Sequence, residues 1–207
     1  LIVSAFAALV ASGGAPRASI YMGKQDHDTA EKILGGCFAL QLAVSAVLTA
    51  VLLLWSRDLL LAFGASENTI GYAASYMQIY AVGTVFVQLT LGLNAFITAQ
   101  GFARVGMKTV LIGAVCNILL DPLFIFGLNM GIGGAGAATL LSQCVSLAIL
   151  ASFFFRGMGS LRVRVRDISR KPEVYATIFK QGMPSFFRQG VVGVSTMALN
   201  FNARLYG

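Results

Sequence analysis

The feature that most constrains this chain is a series of six apolar runs, each about 20 residues long or longer. A helix needs roughly 20 mostly apolar residues to cross the hydrocarbon core of a bilayer. The strands of a membrane barrel would instead alternate apolar and polar residues, and these runs do not. The sequence therefore predicts an all-α, polytopic membrane protein with spans at 1–20, 30–55, 72–99, 107–126, 134–155 and 184–203.

The composition supports a membrane protein and argues against a soluble domain. Charged residues make up only 11% of the chain and hydrophobic residues 57%, whereas about a quarter of the residues in a soluble domain are charged. The chain begins with Leu1 inside one apolar run and ends shortly after another. We therefore expect it to be a piece of a longer protein.

The basic residues alternate between the connections of the predicted spans. They are concentrated in the first, third and fifth connections, at about 21–32, 100–108 and 156–183, whereas the second has only Arg57 and the fourth has none. Lysine and arginine are enriched in cytoplasmic loops, so these three connections are predicted to be cytoplasmic in the plasma (inner) membrane. The net charge of +7 then reflects topology, and we expect membrane lipids as partners and no nucleic acid.

The fifth connection is the longest and is typical of a linker between two helix bundles. Residues 173–180 within it are predicted to form an amphipathic helix on the membrane surface. Pro184 is expected to open the sixth helix, because a proline at the first helical position leaves no hydrogen bond unmade. This predicts three parts, namely most of one bundle at 1–155, a linker at 156–183 and the first helix of a second bundle at 184–207.

Asp121 is the first candidate for a functional site, because it lies within a span while the other acids lie in connections or at span ends. Asn117 is four residues earlier and so projects from the same helix face. Pro122 follows and is expected to kink the helix by removing the hydrogen bond to the carbonyl of Ile118. Carboxylate, amide and carbonyl oxygens are ligands for a small hard cation. The alternative is a solvated carboxylate near the outer membrane surface.

Other polar residues in the spans are weaker candidates. Thr139 lies early in the fifth span, where a hairpin of two helices would bring its hydroxyl level with Asp121, although such a threonine usually bonds its own backbone. Gln88, Asn94 and Thr98 in the third span either line a cavity or hydrogen-bond to neighbouring helices. No Ser/His/Asp or Cys/His set is present, so the sequence does not indicate an enzyme.

Several motifs together resemble the MATE family of multidrug and toxic compound extrusion transporters. Residues 117–127 (NILLDPLFIFG) and 131–139 (GIGGAGAAT), with Gln143, are similar to the fifth and sixth helices of that family. Shorter similarities are found at 23–26 (GKQD) with Ala30, at 63–65 (FGA) with Tyr76, and at 182–185 (GMPS). They occur in the family's order and cover nearly the whole chain.

The resemblance implies a transporter of twelve helices in two bundles, of which this chain carries about helices two to seven. It implies an antiporter that exports organic, often cationic, drugs by alternating access, driven by Na⁺ or H⁺, and working as a monomer without an organic cofactor. It also implies a cation site at Asn117, Asp121 and Thr139, where Na⁺ would be the metal ion bound. The alternative is a lipid-linked oligosaccharide flippase or polysaccharide exporter of related architecture, although the spans contain little basic charge to bind phosphate groups.

Overall fold

The computed structural model describes residues 2–63, 70–162 and 172–206, with side chains described as far as residue 202, and all regular structure in these ranges is helical. The helices are α1 (Ile2–Gly23), α2 (His27–Leu54), α3 (Ser56–Ala62), α4 (Ile70–Ala99), α5 (Ala103–Pro122), α6 (Gly131–Phe155) and α7 (Pro172–Tyr206). A π-helical turn, Leu123–Gly127, continues α5.

The predicted all-α membrane fold is confirmed. Within the described residues, four helices are long and apolar enough to cross a membrane, namely α2, α4, α5 together with its π-helical turn, and α6. The helices α1 and α7 contain 22 and 35 residues, and at about 1.5 Å of rise per residue each is also long enough to cross a bilayer core of about 30 Å.

The predicted start of the last helix is wrong. Helix α7 begins at Pro172, so Pro172 occupies the first helical position and Pro184 lies inside the helix. The predicted helix at 173–180 exists, but it is the first part of α7 and its Ile178 side chain is completely buried in the bundle core. Packing against α1 therefore lets α7 begin at Pro172, although the charged residues of this region suggested a separate helix on the membrane surface. The basic residues at 164, 166, 170 and 171 lie outside the described residues.

The helices pack around α4, which contacts α1, α2, α5 and α6. The larger core cluster includes the fully buried side chains of Leu34, Phe96 and Phe153. Helix α1 approaches α2 closely at Gly14, where an added Cβ would overlap the sulfur of Cys37. Small residues allow this approach, and helices in lipid associate mainly through such van der Waals contact.

The connections from α1 to α2, from α4 to α5 and from α6 onward meet at one end of the bundle. The Ser19 hydroxyl donates to the Ala99 carbonyl over 3.1 Å. The Leu161 N–H donates to Gln100 Oε1 over 3.1 Å, and the Arg162 N–H donates to Glu31 Oε1 over 3.0 Å. We call this the basic end, because these are the three connections in which the basic residues are concentrated.

The outer surface of the bundle is apolar. Helix α5 is the clearest case, with large side chains that are mostly exposed, including Met107, Val110, Leu111, Ile118 and Leu119. A soluble protein rarely exposes an apolar surface of this extent. Lipid or further transmembrane helices are the surroundings that such a surface fits.

Candidate functional site

Asn117 and Asp121 are adjacent on one face of α5, as their spacing predicts. The Asn117 Nδ2 donates a hydrogen bond of 3.2 Å to Asp121 Oδ1. Both side chains are half-buried, so the carboxylate is neither fully solvated nor sealed in the core. The bond uses one carboxylate oxygen as acceptor and leaves the second oxygen and the amide oxygen of Asn117 as further acceptors.

The helix changes its geometry directly after Asp121. Pro122 ends the regular α-helix and the π-helical turn Leu123–Gly127 follows. Because proline has no N–H, the carbonyl of Ile118 cannot receive its usual helical bond. Single π-helical turns inside helices are often found at functional sites. The expected break at Pro122 is thus present, and it takes the form of a wider helical turn.

Thr139 lies at about the level of Asp121 on the neighbouring helix. Gly113 of α5 faces Ser146 of α6, and Phe124 faces Gly134. This antiparallel register places Asp121 at the level of the second turn of α6, about one residue before Thr139. The Thr139 hydroxyl donates to the Ala135 carbonyl over 2.9 Å. Its oxygen can still accept a bond or a cation, and its role as a ligand stays a prediction.

The three polar residues of α4 that the sequence marks as candidates make hydrogen bonds within the bundle. The Gln88 side chain is fully buried, and its Nε2 donates to the Val3 carbonyl of α1 over 3.1 Å. The Asn94 Nδ2 donates to the Gly106 carbonyl of α5 over 3.2 Å, and the Thr98 hydroxyl donates to Asn94 Oδ1 over 3.4 Å. The first two bonds tie α4 to its neighbours. A cavity-lining role for these residues stays a prediction.

A cavity of about 740 Å³ lies at the end of the bundle opposite the basic end. Its walls come from the parts of α1, α2, α3, α4 and α6 that lie at this end of the bundle, and they are almost entirely apolar. Tyr72, Tyr76 and Tyr80 form one wall, and the rings of Tyr76 and Tyr80 stack 6.1 Å apart. We call this the tyrosine cavity. The residues that line it are Ile2, Val3, Leu52, Leu60, Phe63, Tyr72, Ala73, Tyr76, Met77, Tyr80 and Ile132.

Sequence reasoning did not find the tyrosine cavity. The signal was present, because Tyr72, Tyr76 and Tyr80 recur every four residues and therefore share one helix face. Tyrosines near the end of a span are also typical of the membrane interface. Only the packing of α3 and α6 against α4 distinguishes a cavity wall from an interfacial belt.

Comparison with known proteins identifies the family. The MatE family model matches residues 1–123, which is more than half of the chain. The chain belongs to the MatE family. It is thus a multi-pass membrane protein, and the resemblance to that family is confirmed.

Several relatives are similar over most of the chain. The multidrug export protein MepA of Staphylococcus haemolyticus (strain JCSC1435) is 26% identical over 206 residues, which are 100% of this chain and 46% of the relative. A solved structure described as the inward-facing conformation of a multidrug resistance MATE family transporter of the MOP superfamily superposes with a TM-score of 0.89 at 25% identity. That match covers 95% of this chain and 45% of the other. The chain thus spans under half the length of these MatE proteins.

Proposed function

We propose that this chain forms part of a multidrug exporter of the MatE family, an antiporter rather than an enzyme. It exports organic, often cationic, compounds in exchange for Na⁺ or H⁺ and alternates between inward-open and outward-open states. The transporter is a monomer and uses no organic cofactor. The observation that carries the proposal is the hydrogen-bonded pair Asn117–Asp121 at a break in an apolar helix.

The chemistry of this pair suits ion coupling. An acid in a membrane span is costly unless it is paired or serves a function. Asp121 binds Na⁺ or a proton in one state and releases it in the other, while Asn117 orients the carboxylate. Because the ion binds the two states unequally, binding shifts the equilibrium between them. The hydroxyl of Thr139 completes the oxygen ligands of Na⁺.

The tyrosine cavity suits the exported compounds. Its volume of about 740 Å³ is within the range of about 300–1,000 Å³ found for sites of drug-sized ligands. Aromatic faces attract organic cations, and more strongly where water is excluded. The walls combine three tyrosines with apolar side chains, a lining that favours amphiphiles over strongly hydrated ions.

The charge distribution supports a plasma-membrane topology with the basic end in the cytoplasm. Lys24, Lys32, Arg104, Lys108 and Arg156 all lie in or next to the connections at that end. Positive charge is retained on the cytoplasmic side during insertion. The tyrosine cavity then faces the outside, where an exported compound leaves.

The test is gradient-driven efflux of a cationic dye from vesicles that contain the full-length transporter. Asp121→Asn is compared with the wild type under an imposed Na⁺ or H⁺ gradient. We expect the variant to insert normally and to lose at least tenfold in gradient-driven efflux, because an amide cannot exchange a charge with the ion. Asp58→Asn is the matched control, since Asp58 is an exposed acid in α3 and should behave as the wild type does.

The outcomes separate the parts of the proposal. The gradient that drives efflux names the coupling ion. Efflux that survives in Asp121→Asn would remove Asp121 from the coupling site while leaving the exporter intact. Wild-type protein that inserts well but moves no dye, and instead moves a lipid-linked oligosaccharide, would favour the flippase alternative.

A further inference from the structure

The start of α6 lies between the π-helical turn of α5 and the tyrosine cavity. Gly134 and Gly136 are two residues apart, so at about 100° per residue they lie on nearly opposite sides of the helix. Gly134 faces the π-helical turn, because an added Cβ there would be 2.8 Å from the carbonyl carbon of Phe124 and 3.1 Å from the Ile125 nitrogen. The backbones of α6 and of that turn are therefore in direct contact, with no side chain between them.

The opposite side of α6 contacts the wall of the tyrosine cavity. An added Cβ on Gly136 would be 3.3 Å from Cβ and Cγ2 of Ile79 and 3.5 Å from Cδ2 of Tyr76. Tyr76 lines the cavity and stacks on Tyr80. Ile132, in the first turn of α6, lines the same cavity. Helix α6 thus forms part of the cavity wall and also supports the tyrosines beside it.

The short connection between α5 and α6 holds the two helices together at this point. The Met130 N–H donates to the Phe124 carbonyl over 3.1 Å, and the Leu128 N–H donates to the Leu123 carbonyl over 3.0 Å. Gly131, which begins α6, has a φ of 57°, a left-handed conformation that glycine adopts at little cost. The π-helical turn and the first turn of α6 are thus joined through backbone atoms, so we expect a displacement of one to move the other.

An ion bound between α5 and α6 acts on this contact. Asp121 lies two residues before the π-helical turn, and Thr139 lies three residues after Gly136. An ion that both side chains bind draws the two helices together, and its release lets them separate. Because packed interiors are nearly incompressible, the change in spacing reaches Ile79 and Tyr76 instead of being absorbed within α6.

We propose that Gly134 and Gly136 couple ion binding at Asp121 to the shape of the tyrosine cavity. They are positioning residues, since neither offers a side-chain ligand and neither lines the cavity. The proposal rests on the proposed function, because it needs an ion at Asp121 and an organic cation in the cavity. Such coupling is reciprocal, so the ion and the organic cation change each other's affinity by the same factor.

Equilibrium binding of ethidium, a cationic aromatic dye, to the detergent-solubilised full-length transporter measures the coupling. The dissociation constant is determined by fluorescence polarisation with saturating Na⁺, with choline in place of Na⁺, and at two pH values. We expect the coupling ion to change the wild-type constant by about fivefold or more. Gly136→Ala should reduce that change to less than about twofold, because the added methyl group holds Ile79 and Tyr76 in one displaced position whether or not the ion is bound.

Gly83→Ala is the matched control. Gly83 lies in the same contact between α4 and α6, and an added Cβ there has only ordinary contacts of 3.6 Å or more with the Leu140 side chain. This variant should keep the wild-type ratio of the two dissociation constants, whereas Asp121→Asn should show no dependence on the ion. Equal ratios in Gly136→Ala and Gly83→Ala, whether kept or lost, would overturn the coupling.

A fluorine label in the cavity wall tests the coupling without relying on dye. Fluorotyrosine replaces Tyr76 or, as a control, Tyr72, which lines the cavity but is 64% exposed. The fluorine NMR resonance of the label at 76 should shift when the coupling ion is added and when Asp121→Asn is introduced, and Gly136→Ala should remove both shifts. The label at 72 should respond less. A resonance at 76 that does not respond to the ion or to Asp121→Asn would overturn the coupling.

The two proposals fail in different ways. If ethidium is neither bound nor exported, the proposed function fails, while the fluorine resonance at 76 still shows whether Asp121 is coupled to the cavity wall. If the dye is exported under a gradient but Gly136→Ala keeps the wild-type ratio and the wild-type shifts, the exporter stands and the coupling is wrong.

Discussion

At the scale of single residues, the candidate site depends on two polar side chains four positions apart. The spacing of Asn117 and Asp121 already predicts that they share a helix face, and their hydrogen bond of 3.2 Å agrees with that prediction. A hairpin of two helices already predicts that Thr139 lies level with Asp121, and the register of α5 against α6 agrees with that prediction. The bond from its hydroxyl to Ala135 follows the usual behaviour of threonine in a helix.

Asp26 is a second residue whose role follows from local chemistry. It precedes α2, and its carboxylate accepts a hydrogen bond of 3.1 Å from the Thr29 N–H. Hydrogen bonds from Thr29 lower the pKa of Asp26, and Lys32 and His27 add a smaller contribution. The ionised carboxylate therefore stabilises the start of α2 at the basic end.

Replacing Asp26 with alanine should lower the melting temperature of the detergent-solubilised protein by roughly 2 °C at neutral pH, because the helix loses its N-terminal cap. The pKa is lowered by folding, so this stabilisation is fully present above the usual aspartate pKa and is lost as the pH falls through the lowered value. The melting temperatures of the two proteins, measured over a pH series, should begin to converge only as the pH falls below about 4. A difference that persists unchanged in acid would mean that the carboxylate charge is not responsible.

At the scale of helices and turns, the break after Asp121 is supported by α6. Gly134 lies against the backbone of the π-helical turn, and an added Cβ would be 2.8 Å from the Phe124 carbonyl carbon. Gly133 next to it has only an ordinary contact of 3.6 Å with the Ile79 side chain. Substitutions at these two neighbouring glycines can therefore be compared directly, because an added Cβ would clash with the π-helical turn only at Gly134.

Gly134→Ala should destabilise the protein by about 1–3 kcal/mol, because the methyl group pushes the π-helical turn away from α6. Since that turn follows Asp121 directly, gradient-driven efflux should fall as well. Thermal unfolding and dye efflux measure the two effects, with Gly133→Ala as the control that stays close to wild type. Equal effects in the two variants would show that the turn is not supported at Gly134.

Two elements differ from what the sequence predicts, each for a physical reason. The short helix α3 (Ser56–Ala62) was not predicted, because a helix of about two turns is too short to show a recognisable hydrophobic periodicity. The start of α7 was predicted too late, because Pro184 is a good first residue for a helix by local rules. Tertiary contacts with α1 outweigh that local preference and allow the helix to continue through the proline.

At the scale of the whole molecule, the described connections lie at two opposite ends of the helix bundle. The basic end has three connections joined by hydrogen bonds from Ser19, Leu161 and Arg162. The opposite end contains the tyrosine cavity and the π-helical turn. This separation makes the proposed orientation testable.

Single cysteines at Lys24 and Asn129, in a background without native cysteines, report the orientation. Asn129 is exposed in the short connection between α5 and α6, and Lys24 is exposed between α1 and α2. A membrane-impermeant thiol reagent added to intact cells should label the cysteine at 129 at least tenfold faster than the cysteine at 24. Faster labelling at 24 would reverse the topology.

The sequence by itself determined the class of fold, the approximate position of most helices and the Asn117–Asp121 pair. These depend on hydrophobicity over about 20 residues and on helical spacing, which are local properties. Only the tertiary structure decided the existence of the tyrosine cavity, the hydrogen bonds of Gln88 and Asn94, and the continuation of α7 through Pro184. Each of these depends on which helices are neighbours, and contacts between residues distant in sequence leave no periodic signal along the chain.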